Sequence, residues 1–160
     1  MSQPSVRIAK PADAALVFAF IRELAEYEKM SDDVVTNEAE IASALFGANP
    51  RVFADIAEWD GKPAGFALWF YNFSTFRGRH GIYLEDLFVR PAFRGHGLGK
   101  TLLANLAKRC VAQGCARLEW SVLDWNKPSI EFYERLGARH NEGWLPFRLT
   151  GAALETLAAS

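Results

Sequence analysis

Two stretches carry residue types at spacings that can do chemistry. The first is VRPAFRGHGLGKTLLANLA, residues 89–107, where Gly95, Gly97 and Gly99 occupy alternate positions between a strand-like run and a helix-like one. Glycine costs backbone entropy and packs nothing, so bare backbone is required there. A phosphate-binding P-loop, G-x-x-x-x-G-K-[ST], fits the end at Gly99-Lys100-Thr101, but its first glycine falls on Arg94. The dinucleotide fingerprint G-x-G-x-x-G fails at Lys100. What remains is R-x-x-G-x-G, formed by Arg94, Gly97 and Gly99. A strand turning through glycines into a helix leaves the first helical N–H groups unpaired at the positive end of the helix dipole. That arrangement receives a phosphate or diphosphate, with Arg94 and Lys100 adding charge. The same spacing also serves a plain tight turn at positive φ, and spacing alone does not separate the two.

The second stretch is Ile82–Val89, an apolar strand with Glu85-Asp86 set in its middle. A carboxylate there is expensive to bury unpaired, so it has either a partner or a task. Side chains alternate along a strand, so Glu85 and Asp86 face opposite ways unless a bulge intervenes. Tyr133 follows Phe132 in a short helical run; its ring either packs or offers a phenolic proton. His80, His96 and His140 lack metal-ligand spacing, and Cys110 and Cys115 suit neither a zinc site nor a disulfide framework. No metal is expected.

The elements that must position these residues follow from periodicity and punctuation. Val6–Ile8 reads as a strand, and Leu16, Phe20, Leu24 and Tyr27 recur at helical spacing after Asp13. A second helix is predicted over 37–46, ended by Gly47 and Pro50. Strands at 51–59 and 64–73 flank the turn Asp60-Gly61-Lys62. A polar loop, 76–81, precedes the Ile82–Val89 strand, and a helix from about Gly99 to Gln113 ends at Gly114. Arg117–Leu123 reads as a strand, Pro128–Leu136 as a helix, Trp144–Leu149 as a last strand and Ala152–Ala159 as a final helix. Hairpins in the first half and strand–helix–strand in the second predict one α/β (α+β) domain, residues 1–160, with a mixed sheet.

Composition narrows the class. The chain has 160 residues, 50% hydrophobic and 23% charged, with a net charge of −1. That is a globular composition and not the basic surface of a general nucleic-acid binder. No apolar run approaches the ~20 residues of a membrane helix. MSQPSVRIAKPADAA lacks a signal core, so a cytoplasmic location is expected.

RGHGLG (94–99), taken with IYLEDLFV (82–89), LDWNKPSIEFYERLGA (123–138) and LAEYEKM (24–30), resembles the GNAT superfamily of acetyl-CoA-dependent N-acetyltransferases. More closely, the chain resembles the diamine (spermidine/spermine) acetyltransferases and their thialysine-acetylating relatives. The resemblance implies a bent mixed sheet flanked by helices, whose two central parallel strands, here 82–89 and 117–123, splay apart. It implies that the main chain of Leu87, Phe88 and Val89 holds the pantetheine arm of acetyl-CoA. Arg94, Gly95, His96, Gly97, Leu98, Gly99 and Lys100 then cradle the diphosphate, and Asn126 and Ser129 contact the cofactor. Tyr133 falls at the family's general-acid position and Glu85 at its base, with Asp86 more structural and a main-chain N–H near Phe88 receiving the oxyanion. Tyr27, Glu28, Glu85, Glu119, Trp120, Ser121 and Glu142 match acceptor-binding positions. The expected acceptor is a small-molecule primary amine, the transfer is direct, and the assembly is a homodimer without nucleic-acid or membrane partners. The alternatives are a protein or peptide N-acetyltransferase and a non-catalytic acyl-CoA sensor.

One departure bears on the acceptor. Polyamine-acetylating members carry an acid and a tryptophan in the loop before YLED, whereas this chain reads Ser74-Thr75-Phe76-Arg77-Gly78-Arg79. Two arginines repel a long polycation. A thialysine-like amino acid or another small amine fits at least as well, and its carboxylate is expected to meet one of those arginines.

Overall fold

Strand β1 (Pro4–Ile8) leads through a short 3-10 turn into helix α1 (Ala14–Tyr27). Arg7 ties the junction together, donating to both Asp13 oxygens at 2.7 and 2.9 Å and to Glu58 at 2.8 Å. The computed structural model describes residues 2–160 in two compact units, one ending at Leu123 and the other comprising Asp124–Ser160.

In the first unit, helix α2 (Glu38–Phe46) is N-capped by Asn37, whose side chain accepts from Glu40 N–H at 2.9 Å. Strands β2 (Phe53–Trp59), β3 (Lys62–Ser74) and β4 (Arg79–Val89) then form an antiparallel meander. Helix α3 (Leu98–Gln113) crosses over, and β5 (Leu118–Trp120) adds to the edge parallel to β4, giving the order β1-β2-β3-β4-β5. Both parallel strands are shorter in their pairing than the apolar runs predict. Ile82, Tyr83 and Leu84 pair with Leu118, Glu119 and Trp120, and then the strands part. This is the splay expected in the mixed sheet.

The two faces of the sheet carry different cores. Val17, Phe20 and Leu24 of α1 pack on Ile56, Phe66, Leu68 and Phe88, with the Phe20 and Phe66 rings stacked at 5.2 Å. Each such side chain contributes about 1.5–3 kcal/mol by leaving water. Across the sheet, α3 buries Leu98, Leu102, Leu103, Leu106 and Cys110. A polar network also anchors α3: Arg109 donates to both oxygens of Asp55 at 2.9 and 3.2 Å, and Asp55 accepts from Trp69 Nε1 at 3.1 Å. The Arg109 guanidinium lies 4.5 Å over the Trp69 ring. Nothing in the local sequence pattern marks Asp55, which is 1% exposed within an apolar strand.

The second unit holds α4 (Lys127–Arg135) and α5 (Gly151–Ala158). The strand expected at Trp144–Leu149 is absent: 144–150 is irregular, without ladder partners. Pro146 gives the reason, because it has no N–H to donate in mid-strand.

Candidate active site

The glycine turn begins at the end of β4. Arg90 N–H donates to Ala64 O at 2.8 Å, and its guanidinium pairs with Glu23 at 3.0 Å while lying 4.6 Å over Phe20. The strand end is thus locked to α1. The chain then turns through Gly95 (φ 83°) and Gly97 (φ 76°) into α3. Among the described residues, no protein acceptor meets the successive N–H groups from Gly95 to Lys100. Thr101 N–H closes the first helical bond, onto Gly97 O at 2.9 Å. A Cβ added at Gly95 or Gly97 would meet nothing within 4 Å, so the space over both is open. Unpaired donors, open space and a helix N-terminus together suit a diphosphate. Leu98 is buried, Gly99 half-buried and Lys100 exposed.

Arg94 does not extend over the turn. Its Nε donates to Val89 O at 2.9 Å, and its guanidinium lies 5.0 Å from the Tyr27 ring centroid and 5.8 Å from that of Phe88. Arg94 therefore joins the end of α1 to the end of β4. His96, flanked by the two left-handed glycines, stacks on Trp59 with ring centroids 4.4 Å apart.

Main-chain groups alternate sides along β4. The Phe88 carbonyl is directed at Gly65 of β3, and Arg90 N–H reaches Ala64 on the same side. Leu87 and Val89 consequently direct theirs toward the opposite side, beyond the point where β5 stops pairing. That geometry differs from the expectation for Phe88: its backbone serves the ladder, and its ring serves the α1 core.

The acidic dipeptide sits at a β-bulge. Leu68 pairs with Asp86 but Trp69 pairs with Leu84, which leaves Glu85 as the extra residue. Cross-strand partners share a face. Tyr83, opposite Phe70, is followed on the α1 face by Asp86 and Phe88, not by Glu85 and Leu87. Simple alternation directs Asp86 away from the site; the bulge reverses that, because one extra residue shifts the register of faces. Burial, together with the charges of Glu85 and Glu28, pushes the Asp86 carboxyl up to about 7. Burial also raises the Glu28 carboxyl. Glu85 itself is exposed.

The structure therefore gathers Tyr27, Glu28, Glu85, Asp86 and Arg94 around the end of α1 and the bulge. Other expected acceptor residues are engaged elsewhere. Glu119 accepts from Asn72 at 3.1 Å and from Arg117, and Ser121 Oγ shares a 2.7 Å hydrogen bond with Tyr83 Oη. Trp120 ends β5. Arg77 and Arg79 lie at the β3–β4 hairpin tip, nine and seven residues before Asp86, roughly 20 Å or more along the strand. They do not meet a group bound at Asp86 of their own chain.

In the second unit, buried Asn126 caps α4 by accepting from Ser129 N–H at 3.4 Å. The rings of Phe132 and Tyr133 lie 5.5 Å apart, and Glu142 is exposed in a turn. Cys110 is buried, with its thiol pushed up to about 11 mainly by desolvation, so it is no thiolate nucleophile at neutral pH. Among the described residues, no cluster of His, Cys, Asp and Glu could hold a metal, and no helix is long and apolar enough to cross a membrane.

Two features near the glycine turn and the bulge carry no signal in the sequence. Asp86 has no assigned task there, because no glycine or proline announces the bulge. Trp59 has no signal beyond its position before the turn at Asp60-Gly61.

The chain is 39% identical to the thialysine N-epsilon-acetyltransferase of Sus scrofa, over 99% of each chain. It is also 39% identical to the Caenorhabditis elegans thialysine N-epsilon-acetyltransferase, over 92% of each. To the L-ornithine N5-acetyltransferase NATA1 of Arabidopsis thaliana it is 32% identical, over 95% of this chain and 86% of that one. An integron cassette protein from Vibrio cholerae superimposes with a TM-score of 0.81 at 28% identity, over 98% of both chains. The acetyltransferase (GNAT) family pattern matches residues 18–138, and with the splayed strands and the open glycine turn it identifies the chain as a member of the GNAT family, an N-acetyltransferase.

Proposed function

We propose that the protein transfers acetyl from acetyl-CoA directly to the side-chain amine of a small α-amino acid of the thialysine or ornithine kind. The observation that carries the reading is the β4 bulge. It sets the desolvated Asp86 carboxyl beside Glu85 and Glu28 on the strand that runs into the unpaired N–H groups of 95–100. The thialysine and ornithine acetyltransferases among the relatives support the acceptor class.

Leu87 and Val89 main-chain groups would hold the pantetheine arm, the 95–100 amides the diphosphate, and Asn126 and Ser129 further parts of the cofactor. Bound there, acetyl-CoA supplies an acetyl group activated as a thioester. An alkyl ammonium titrates near ~10.4 and has no lone pair until it is deprotonated. Glu28, Glu85 and Asp86 attract the cation, and one of the two adjacent β4 carboxyls takes up its proton. Glu85 holds that role by resemblance; Asp86, titrating at about 7, exchanges protons in the neutral range. A β4 main-chain N–H on the open side, at Leu87 or Val89, would be placed to donate to the thioester oxygen. By resemblance, Tyr133 would supply the proton that the CoA sulfur needs on leaving.

The test is CoA release with thialysine, ornithine, lysine, spermidine and an N-terminal peptide as acceptors. Highest kcat/KM for thialysine or ornithine is expected. Preference for spermidine or the peptide overturns the acceptor class, and CoA binding without release to any amine overturns catalysis.

A further inference from the structure

The turn that offers its amides to the diphosphate has little to hold it in shape. Between Arg94 N–H, which reaches Pro91 O at 3.2 Å, and Thr101 N–H, which reaches Gly97 O, no backbone hydrogen bond fixes it among the described residues. Two of its residues are left-handed glycines with open space around them. Such a segment has many alternative conformations, and ordering it on ligand binding costs affinity. Its helical end is held by Thr101 Oγ1, which donates to Gly97 O at 2.9 Å, and by buried Leu98; its outer part, Gly95 to Gly97, is gripped by one side chain. His96 lies between the two glycines and stacks on Trp59 at 4.4 Å, with the planes 22° apart. Trp59, unlike His96, belongs to the rigid sheet. It ends β2, paired with Pro4 of β1 on one side and Lys62 of β3 on the other.

We propose that Trp59 is a positioning residue for the cofactor: stacked on His96, its indole keeps the 95–97 amides turned outward before the diphosphate arrives. Trp59 touches no reacting atom; it acts through His96 by reducing the ordering that binding would otherwise require. A stacked aromatic pair is worth roughly a 2- to 12-fold change in an equilibrium constant, which bounds the effect. The proposal rests on the acetyl-CoA reading above.

The experiment compares two acetyl donors, acetyl-CoA and S-acetylpantetheine, which lacks the diphosphate, in wild type and in Trp59→Ala, Trp59→Phe and His96→Ala. CoA affinity is measured by calorimetry alongside. Trp59→Ala is expected to raise the KM for acetyl-CoA and the Kd for CoA by roughly 3- to 10-fold, with the KM for S-acetylpantetheine unchanged. Trp59→Phe keeps a flat ring and restores most of the affinity. His96→Ala matches Trp59→Ala, and the double variant is no worse than either single one. Equal losses with both donors mean that Trp59 is merely structural, and additive losses mean that the two rings do not act as a unit; either overturns the proposal. If Trp59→Ala does not fold, His96→Ala, at an exposed loop position, carries the same comparison. A wild type that fails to bind CoA overturns the acetyl-CoA reading itself, whereas a CoA-binding wild type with unaltered variants overturns the role of the stack alone.

Discussion

Replacing Asp86 with asparagine tests whether the bulge desolvates a carboxyl. In the folded protein that carboxyl titrates at about 7, against an ordinary value of 3.8. Between those two values the folded state holds a proton that the unfolded state has released. Stability therefore falls as pH rises through this window, and the full penalty is present above about 7. The rise corresponds to about 4 kcal/mol at 1.36 kcal/mol per tenfold. Asp86 is only partly buried, so solvent screening reduces the expected penalty to about 2 kcal/mol. An asparagine side chain at this position cannot ionise. Asp86→Asn is therefore expected to add about 2 kcal/mol near pH 8 and almost nothing near pH 4. Urea unfolding of both proteins at the two pH values, with equal m-values, measures the difference. An equal gain at both, or none near pH 8, refutes the argument that burial and the Glu85 and Glu28 charges act on this group.

Tyr133→Phe keeps the ring that meets Phe132 and removes the hydroxyl. Turnover is expected to fall about 10²- to 10⁴-fold with CoA affinity retained, as stopped-flow CoA release and calorimetry would show; unchanged turnover removes Tyr133 from the chemistry. Arg109→Ala strands Asp55, which is 1% exposed, and is expected to destabilise the fold by about 3–5 kcal/mol. Thermal unfolding measures that loss. Asp55→Asn combined with Arg109→Met should recover part of it, because an apolar or neutral pair need not be neutralised in the interior.

Much of this protein is legible in its sequence, and the physical reason is locality. Helical spacing from Leu16 to Tyr27, Asp60-Gly61 at the hairpin, Gly114 closing α3 and the R-x-x-G-x-G turn at 94–99 are all set by neighbours within a few residues. Each appears in the structure within a residue or two of its expected bounds. The run WLPFRL at 144–149 shows where local reading fails: its alternation suggests a strand, but a strand exists only if a partner pairs with it, and Pro146 cannot donate to one.

What only the tertiary structure decided is pairing. The alternation of Glu85 and Asp86 is a property of an isolated strand; which carboxyl lies over the α1 core depends on Leu68 and Trp69 of β3 choosing Asp86 and Leu84 as partners and skipping Glu85. The burial of Asp55 under Arg109, the turn of Arg94 toward Tyr27 and the stack of His96 on Trp59 likewise join residues remote in sequence. Chain order dictates the local bends and periodicities, because their energies are local. The protonation of Asp86 and the ring that stacks against the glycine turn depend on neighbours that only the folded sheet supplies.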